Sequence, residues 1–209
     1  MTEALTNKLG HRIRTRGHRT REALLAAVRD LLEERGPGEV RVADVAARAG
    51  VSAPSVYTYF GSIDEAVLAL CETAGPETDA LAVLLEGDWS GEEAFRAART
   101  FVEAMAAHWA RHGAALRLER LMADRGDAAF AESRIRRLRR LHLTLERRIA
   151  RARAAGFHPT GLDPRLASYE VVSLVESVGA GIGLLRRAEG DEAILDTTAH
   201  MVVRLVTGR

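Results

Sequence analysis

The stretch VADVAARAGVSAPSVYTYF, Val42 through Phe60, decides the fold of this chain. Val42 to Ala49 reads as one short helix, stopped by Gly50. Ser52 is placed to cap a second, with Pro54 in its first turn, where a missing N–H costs nothing. Two helices that cross steeply need a very small residue where their backbones meet, and Ala46 is placed for that. They also need a tight turn of the kind that admits a positive φ, which Gly50 accommodates. Val45, Val51 and Val56 can pack the pair into a small core. The second helix then turns its opposite face outward, toward a major groove.

Working outward, a preceding helix is expected from about Thr20, with Ala23, Leu24, Ala27, Val28, Leu31 and Leu32 on one face, ending at the breaker Gly36-Pro37-Gly38. The region before it, residues 1–18, reads as a basic flexible arm. From Lys8 to Arg21 there are six basic residues (Lys8, Arg12, Arg14, Arg16, Arg19, Arg21) and no acid. Such a run can be a solvated tail or an electrostatic arm for a polyanion. The net charge of the 209-residue chain is only +1, so the chain as a whole is not a polycation.

The rest reads as long helices. One opens at Gly61-Ser62 and is interrupted or ended by Gly75-Pro76. A capping box at Ser90-Gly91-Glu92-Glu93 starts the next, expected to run to about His112. A shorter helix over Ala114 to Met122 follows, then one from Asp127 to before Gly156. Asp163-Pro164 starts another, to about Ala188, and Asp191 starts the last, to about Val206. Ala, Leu, Arg and Glu dominate the composition, and all four favour helix. The expected fold is all-α: a three-helix helix-turn-helix domain over residues 19–62, then a helical ligand-binding and dimerisation domain over residues 63–209. The single cysteine, Cys71, sits among Val67, Leu68 and Leu70 and reads as a buried, inert thiol. It cannot form an internal disulfide, which suits a cytoplasmic protein. No signal-peptide core stands at the N-terminus, and no apolar run approaches the roughly 20 residues that span a membrane.

The region Arg21 to Leu70 resembles the N-terminal domain of the TetR family of transcription regulators. The residues that carry the likeness are Asp44-Val45-Ala46, Ala49-Gly50-Val51-Ser52, Val56-Tyr57-Thr58-Tyr59-Phe60, and Ser62 with Glu65-Ala66-Val67-Leu68. The resemblance implies a homodimer with two DNA-reading heads and a helical C-terminal domain that binds a small effector. Two positions depart from the family pattern. Ile63 stands where a phosphate-contacting lysine is usual, and Arg41 where a threonine is usual. Arg41 and the basic arm (Arg12, Arg14, Arg16, Arg19) are the expected replacements for those phosphate contacts.

On the outward face, Ser55 and Thr58 can hydrogen-bond base edges or phosphates, with Tyr59 beside them. Ala53 and Pro54 can touch thymine methyls. Ser52 and Tyr57 suit phosphate near the helix N-terminus. The expected partner is double-stranded operator DNA. In the C-terminal region Phe101, Met105, Trp109, Leu118, Met122, Leu145 and Tyr169 are the larger apolar or amphipathic residues that could line a cavity, with His142 a polar contact; each can equally be ordinary core. A mostly apolar lining favours a lipophilic effector. Nine arginines between Arg134 and Arg153 crowd one helix; they read as a solvated face, or as a mouth for an anionic ligand such as an acyl-CoA. Val171, Leu174, Val175, Val178 and Ile182, with Val202 and Val206, are the expected dimer interface.

Other classes fare less well. The sequence has no Ser-His-Asp order, phosphate-binding glycine loop or metal quartet, so neither an enzyme of helical fold nor a bound cofactor is expected. His108 and His112 sit four apart on one helix face, a spacing that can hold a metal, but no adjacent residue completes a ligand set and no metal site is expected. A non-specific architectural DNA protein fits poorly with the low overall charge.

Overall fold

The computed structural model describes residues 15–36 and 38–209. Among these, every regular element is a helix: α1 (Thr15–Arg35), α2 (Val42–Ala49), α3 (Ala53–Tyr59), α4 (Ile63–Leu84), α5 (Gly91–Asp124), α6 (Ala128–Ala154), α7 (Pro164–Leu185) and α8 (Asp191–Thr207). The chain divides into two compact units. The first holds the described residues up to Thr73 together with Ala114–Arg134; the second holds Ala74–Gly113 and Ile135–Arg209.

In the first unit the expected stripe of α1 forms the core except for Ala23, which is exposed. Leu24, Ala27, Val28, Leu31 and Leu32 are buried with Val45, Ala46, Val56 and Phe60. α1 begins at Thr15, five residues before the expected cap, so residues 15–18 are helical and do not belong to an extended arm. A bidentate ion pair ties α2 to α1: Arg48 donates to both carboxylate oxygens of Glu34 at 2.8 and 2.7 Å. Arg35 reaches Asp44 at 3.1 Å. The start of α4 is a reciprocal cap. Glu65 N–H donates to Ser62 Oγ at 3.1 Å, and the Glu65 carboxylate accepts from Gly61 N–H at 2.6 Å.

Two expected breaks are absent, and one expected cap does not form. α4 continues through Gly75-Pro76, because the carbonyl that loses its helical donor to Pro76 belongs to Glu72, and both residues lie on the exposed side. α5 runs unbroken past His112 and Gly113 to Asp124, so Ala114 to Met122 is no separate helix. Burial of Ala114, Ala115, Leu116 and Leu118 outweighs the roughly 1 kcal/mol that a helical glycine costs. At Ser90 the box does not close: Ser90 Oγ donates to Asp88 and the Glu93 carboxylate is taken by Arg96. The caps at Asp127 and Asp163 do form. Asp163 accepts from Arg165 N–H at 2.8 Å and Leu166 N–H at 3.0 Å.

The second unit has its own core, including Phe101, Met105, Trp109, Leu141, Leu145, Ile149, Val171, Val172, Val175, Val202 and Val206. α7 lies so close to α5 that a Cβ on Gly179 would fall 2.5 Å from Trp109 Cδ1. This helix corrects one expectation: by length and composition α7 is apolar enough to cross a membrane, although Val171, Val172, Val175 and Gly179 are buried within the chain.

Candidate nucleic-acid interface

The turn between α2 and α3 is built as its sequence demands. Gly50 adopts φ 67°, ψ 33°, and Val51 N–H donates to Ala46 C=O at 3.0 Å, closing the end of α2. Ala46, Val45 and Val56 are buried at the crossing. Phe60 is buried beneath them, with the Arg21 guanidinium 5.3 Å from its ring centroid. With Val56 and Phe60 turned in, the other side of α3 is left outward.

The residues expected to read DNA occupy that side. Ser52, Pro54, Tyr57 and Thr58 are exposed; Ala53, Ser55 and Tyr59 are half-buried. Ser52 does not cap through its side chain. Its hydroxyl pairs with that of Ser55 at 2.8 Å, so the two form one unit at the N-terminal edge of the helix. Thr58 Oγ1 leans on Pro54 C=O at 3.5 Å, a weak bond that a base edge or phosphate can displace. Arg41 is exposed at the N-cap of α2. Arg19 is exposed on α1; Arg16 lies in its first turn; Arg12 and Arg14 fall outside the described residues.

The residues expected around an effector divide between the units. Leu118 and Met122 belong to the first, where they line a cleft of about 230 Å³ with Leu32, Val40, Ile63 and Leu121. Phe101, Met105, Trp109 and Leu145 are buried in the second. There His142 stacks against Tyr169 at 4.1 Å, and Tyr169 is itself largely exposed. Trp109 Nε1 is buried with no hydrogen-bond partner.

The arginine-rich helix is more committed than a solvated face would be. Arg137 is buried and donates to the fully buried Glu176 at 3.3 Å. Arg148 donates to Leu85 C=O at 2.8 Å and Gly87 C=O at 2.6 Å, and lies over Trp89. Partial burial, then the neighbouring Arg151, lowers its pKa. Arg148, Arg151 and Arg209 border a cleft of about 300 Å³ floored by Trp89, Ala152, Ala155 and Phe157.

Of the residues assigned to a dimer interface, Val171, Val175, Val202 and Val206 are buried in the core of the second unit, so they are spent within one chain. Leu174, Val178 and Ile182 are half-buried. The apolar residues that α7 and α8 do leave outward are Leu166, Tyr169, Leu184, Leu185, Met201 and Leu205. Sequence reasoning mistook the most hydrophobic stripe for the partner-facing one; in an amphipathic helix of this kind the chain's own core claims it first.

Sequence reasoning also missed Glu77. Its Oε2 lies 3.4 Å from His108 Nδ1 and 3.2 Å from His112 Nε2, and accepts from Arg111 at 2.9 and 3.1 Å. Partial burial pushes the Glu77 carboxyl up, but Arg111 and the two imidazoles bring it down to about 2. Burial, opposed by Glu77, lowers His108 to about 4. No local signal ties residue 77 to residues 108 and 112; the pairing of α4 with α5 makes it.

Two short helices joined by a tight glycine turn, the second with an outward polar face, have the form of a helix-turn-helix. Residues 24–70 match the family model for bacterial regulatory proteins of the tetR family, and residues 81–209 match that for the tetracyclin repressor-like C-terminal domain. The chain belongs to the TetR family. Its fold is similar to that of FadR from Bacillus subtilis, solved in complex with stearoyl-CoA (16% identity, TM-score 0.64, covering 90% of this chain and 98% of that one). It is also similar to a TetR-family regulator from Rhodococcus sp. (21%, TM-score 0.63, 90% and 99%). A third is Thermus thermophilus FadR, solved in complex with lauroyl-CoA (17%, TM-score 0.56, 89% and 92%). No curated protein matches the sequence significantly.

Proposed function

We propose that this protein is a cytoplasmic homodimeric repressor that a lipophilic, acyl-CoA-like effector releases from a pseudo-palindromic operator. Residues 19–62 read the DNA, and residues 63–209 bind effector and dimerise. The observation that carries the reading is the division of α3 into a buried edge, Val56 with Phe60 just beyond it, and an outward one of Ser52, Pro54, Tyr57 and Thr58. An outward polar face on a rigid helix is what a major groove accepts. The outward Leu166, Leu184, Met201 and Leu205 of α7 and α8 support dimerisation as apolar surface that a second copy could cover. Two-fold symmetry would then set the two α3 helices about 34 Å apart, one turn of DNA.

The effector assignment is supported by the buried apolar residues around Trp109, whose orphan N–H is a donor that a ligand carbonyl can satisfy. The long-chain acyl-CoAs bound by the two FadR proteins have that chemistry. Release is a population shift: an effector that prefers a dimer with mismatched heads lowers operator affinity by its differential affinity.

The test begins with selection of bound duplexes from a random pool, followed by fluorescence anisotropy on the winning site. Ser55→Ala combined with Thr58→Ala is expected to weaken binding by about tenfold or more, since lost base contacts cost roughly 1–3 kcal/mol each. Arg41→Ala is expected to weaken all sequences alike and flatten the salt dependence. Stearoyl-CoA is expected to release the complex. Recovery of no common site from the pool, or full binding by the double variant, would refute the operator reading. Failure of every acyl-CoA to change affinity would refute the effector alone.

A further inference from the structure

We propose that Glu77, His108 and His112 form a binding site for a divalent transition-metal ion, with zinc the best match to the ligand set. His108 and His112 lie one turn apart on α5, and Glu77 faces them from α4, all three within the second unit. The candidate ligand atoms lie within 4.8 Å of one another. Two of the edges, 3.4 Å from His108 Nδ1 to Glu77 Oε2 and 3.2 Å from His112 Nε2 to the same oxygen, match the separation of about 3.4 Å between tetrahedral ligands with bonds of about 2.0–2.1 Å.

The hydrogen bonds around the cluster give the independent indication. Thr78 Oγ1 lies 3.0 Å from Ala74 C=O, to which it can donate, and 3.3 Å from His108 Nε2. With the hydroxyl donating to Ala74, Nε2 carries the proton and Nδ1 turns its lone pair toward Glu77 Oε2, 3.4 Å away, the tautomer in which Nδ1 would take a metal. His108 is 1% exposed, so its ring is shielded from solvent. His112 Nε2 is also buried, and although it lies 3.2 Å from Glu77 Oε2 it makes no hydrogen bond there. Two ring nitrogens and a carboxylate converging in this way want a cation between them. The His108–Thr78–Ala74 relay is the outer support that metal-binding imidazoles commonly have, fixing tautomer and ring orientation. Arg111 meets part of the carboxylate's need now; beside a bound ion it is an unfavourable cationic neighbour.

The test uses the tag-free full-length protein, stripped with chelator, titrated with Co2+ by visible absorption and then with Zn2+ by calorimetry. One ion per chain is expected, with a Co2+ d–d band of low-coordinate type that Zn2+ abolishes. Glu77→Gln and His112→Ala are each expected to lose at least about a hundredfold in affinity, beyond the roughly 10–100-fold seen when only outer-shell support is removed. Thr78→Val is expected to lose about tenfold. Arg111→Gln is expected to bind more tightly than wild type, a gain that no misfolded variant would mimic. Stripped wild-type protein that takes up no Zn2+ would overturn the site. Uptake unchanged in Glu77→Gln and His112→Ala, with Arg111→Gln no tighter, would place the ion on other histidines and overturn it equally.

Discussion

In the three-helix head, the polar side chains of α3 stand outward, and the ion pairs that hold α2 to α1 lie in solvent. In the second unit, Arg137 and Glu176 are buried against each other. The head thus keeps its polar groups where they can be exchanged for DNA, and rests its stability on Val45, Ala46, Val56 and Phe60. The second unit has made polar groups part of its interior. A buried charge is tolerated only while it is satisfied, so losing one partner exposes the full desolvation cost of the other. The same kind of substitution should therefore read differently in the two places.

The largest effect is expected at Arg137. Arg137→Met removes a charged partner from the buried Glu176 carboxylate and should destabilise the chain by about 3–5 kcal/mol in urea unfolding. Adding Glu176→Leu should recover much of that loss, because a well-packed apolar pair can replace a buried ion pair at little cost. A single variant as stable as wild type would break the contrast. Gly179→Ala comes next. Its Cβ would meet Trp109 Cδ1 at 2.5 Å, against a side chain that is itself buried, and overpacking of this kind costs about 1–3 kcal/mol. Recovery in Gly179→Ala combined with Trp109→Leu would assign the cost to that clash.

What the sequence made legible follows the same division. The head is written in local signs: Gly50 at a positive φ, Pro54 inside the first turn of α3, the alanine at the crossing. Each needs only its neighbours in the chain, so the helix limits Val42–Ala49 and the exposed reading face could be expected before any coordinates. The second unit depends on residues far apart in sequence. Gly75-Pro76 and Gly113 look like breaks, yet long-range packing carries α4 and α5 straight through them. The valines of α7 and α8 announce burial but not against what, and the chain's own core takes them. Gly179 signals a close approach, but the partner is Trp109 of the same chain. The Glu77–His108–His112 cluster is the extreme case: two of its three residues, the i, i+4 histidines, are visible in the sequence, and the residue that completes it lies 31 positions from His108.

In the head, Gly50→Ala should give an intermediate effect. The glycine sits at φ 67° with open space where a Cβ would go, so the cost is the left-handed backbone alone, about 1–2 kcal/mol. Gly50→Asn should cost less, because asparagine tolerates that region. Thermal unfolding of both would separate dihedral strain from packing. A larger loss in Gly50→Asn than in Gly50→Ala would mean the turn is tighter than its open surroundings indicate.

The smallest effect is expected at the solvent-exposed fork between Glu34 and Arg48, and it is best seen through pH. The hydrogen bonds from Arg48 hold the Glu34 carboxyl below its ordinary pKa of 4.5. A carboxyl depressed in the folded state adds stability that is fully present above its unfolded pKa and disappears as pH falls through the folded one. Wild type should therefore melt slightly above Glu34→Gln near neutral pH, and the two curves should converge as pH drops below about 4.5. High salt should shrink the gap at neutral pH, since exposed charges are screened. An offset that persists unchanged into acid would show that the introduced amide perturbs packing, and that the fork holds α2 to α1 by shape instead of by charge.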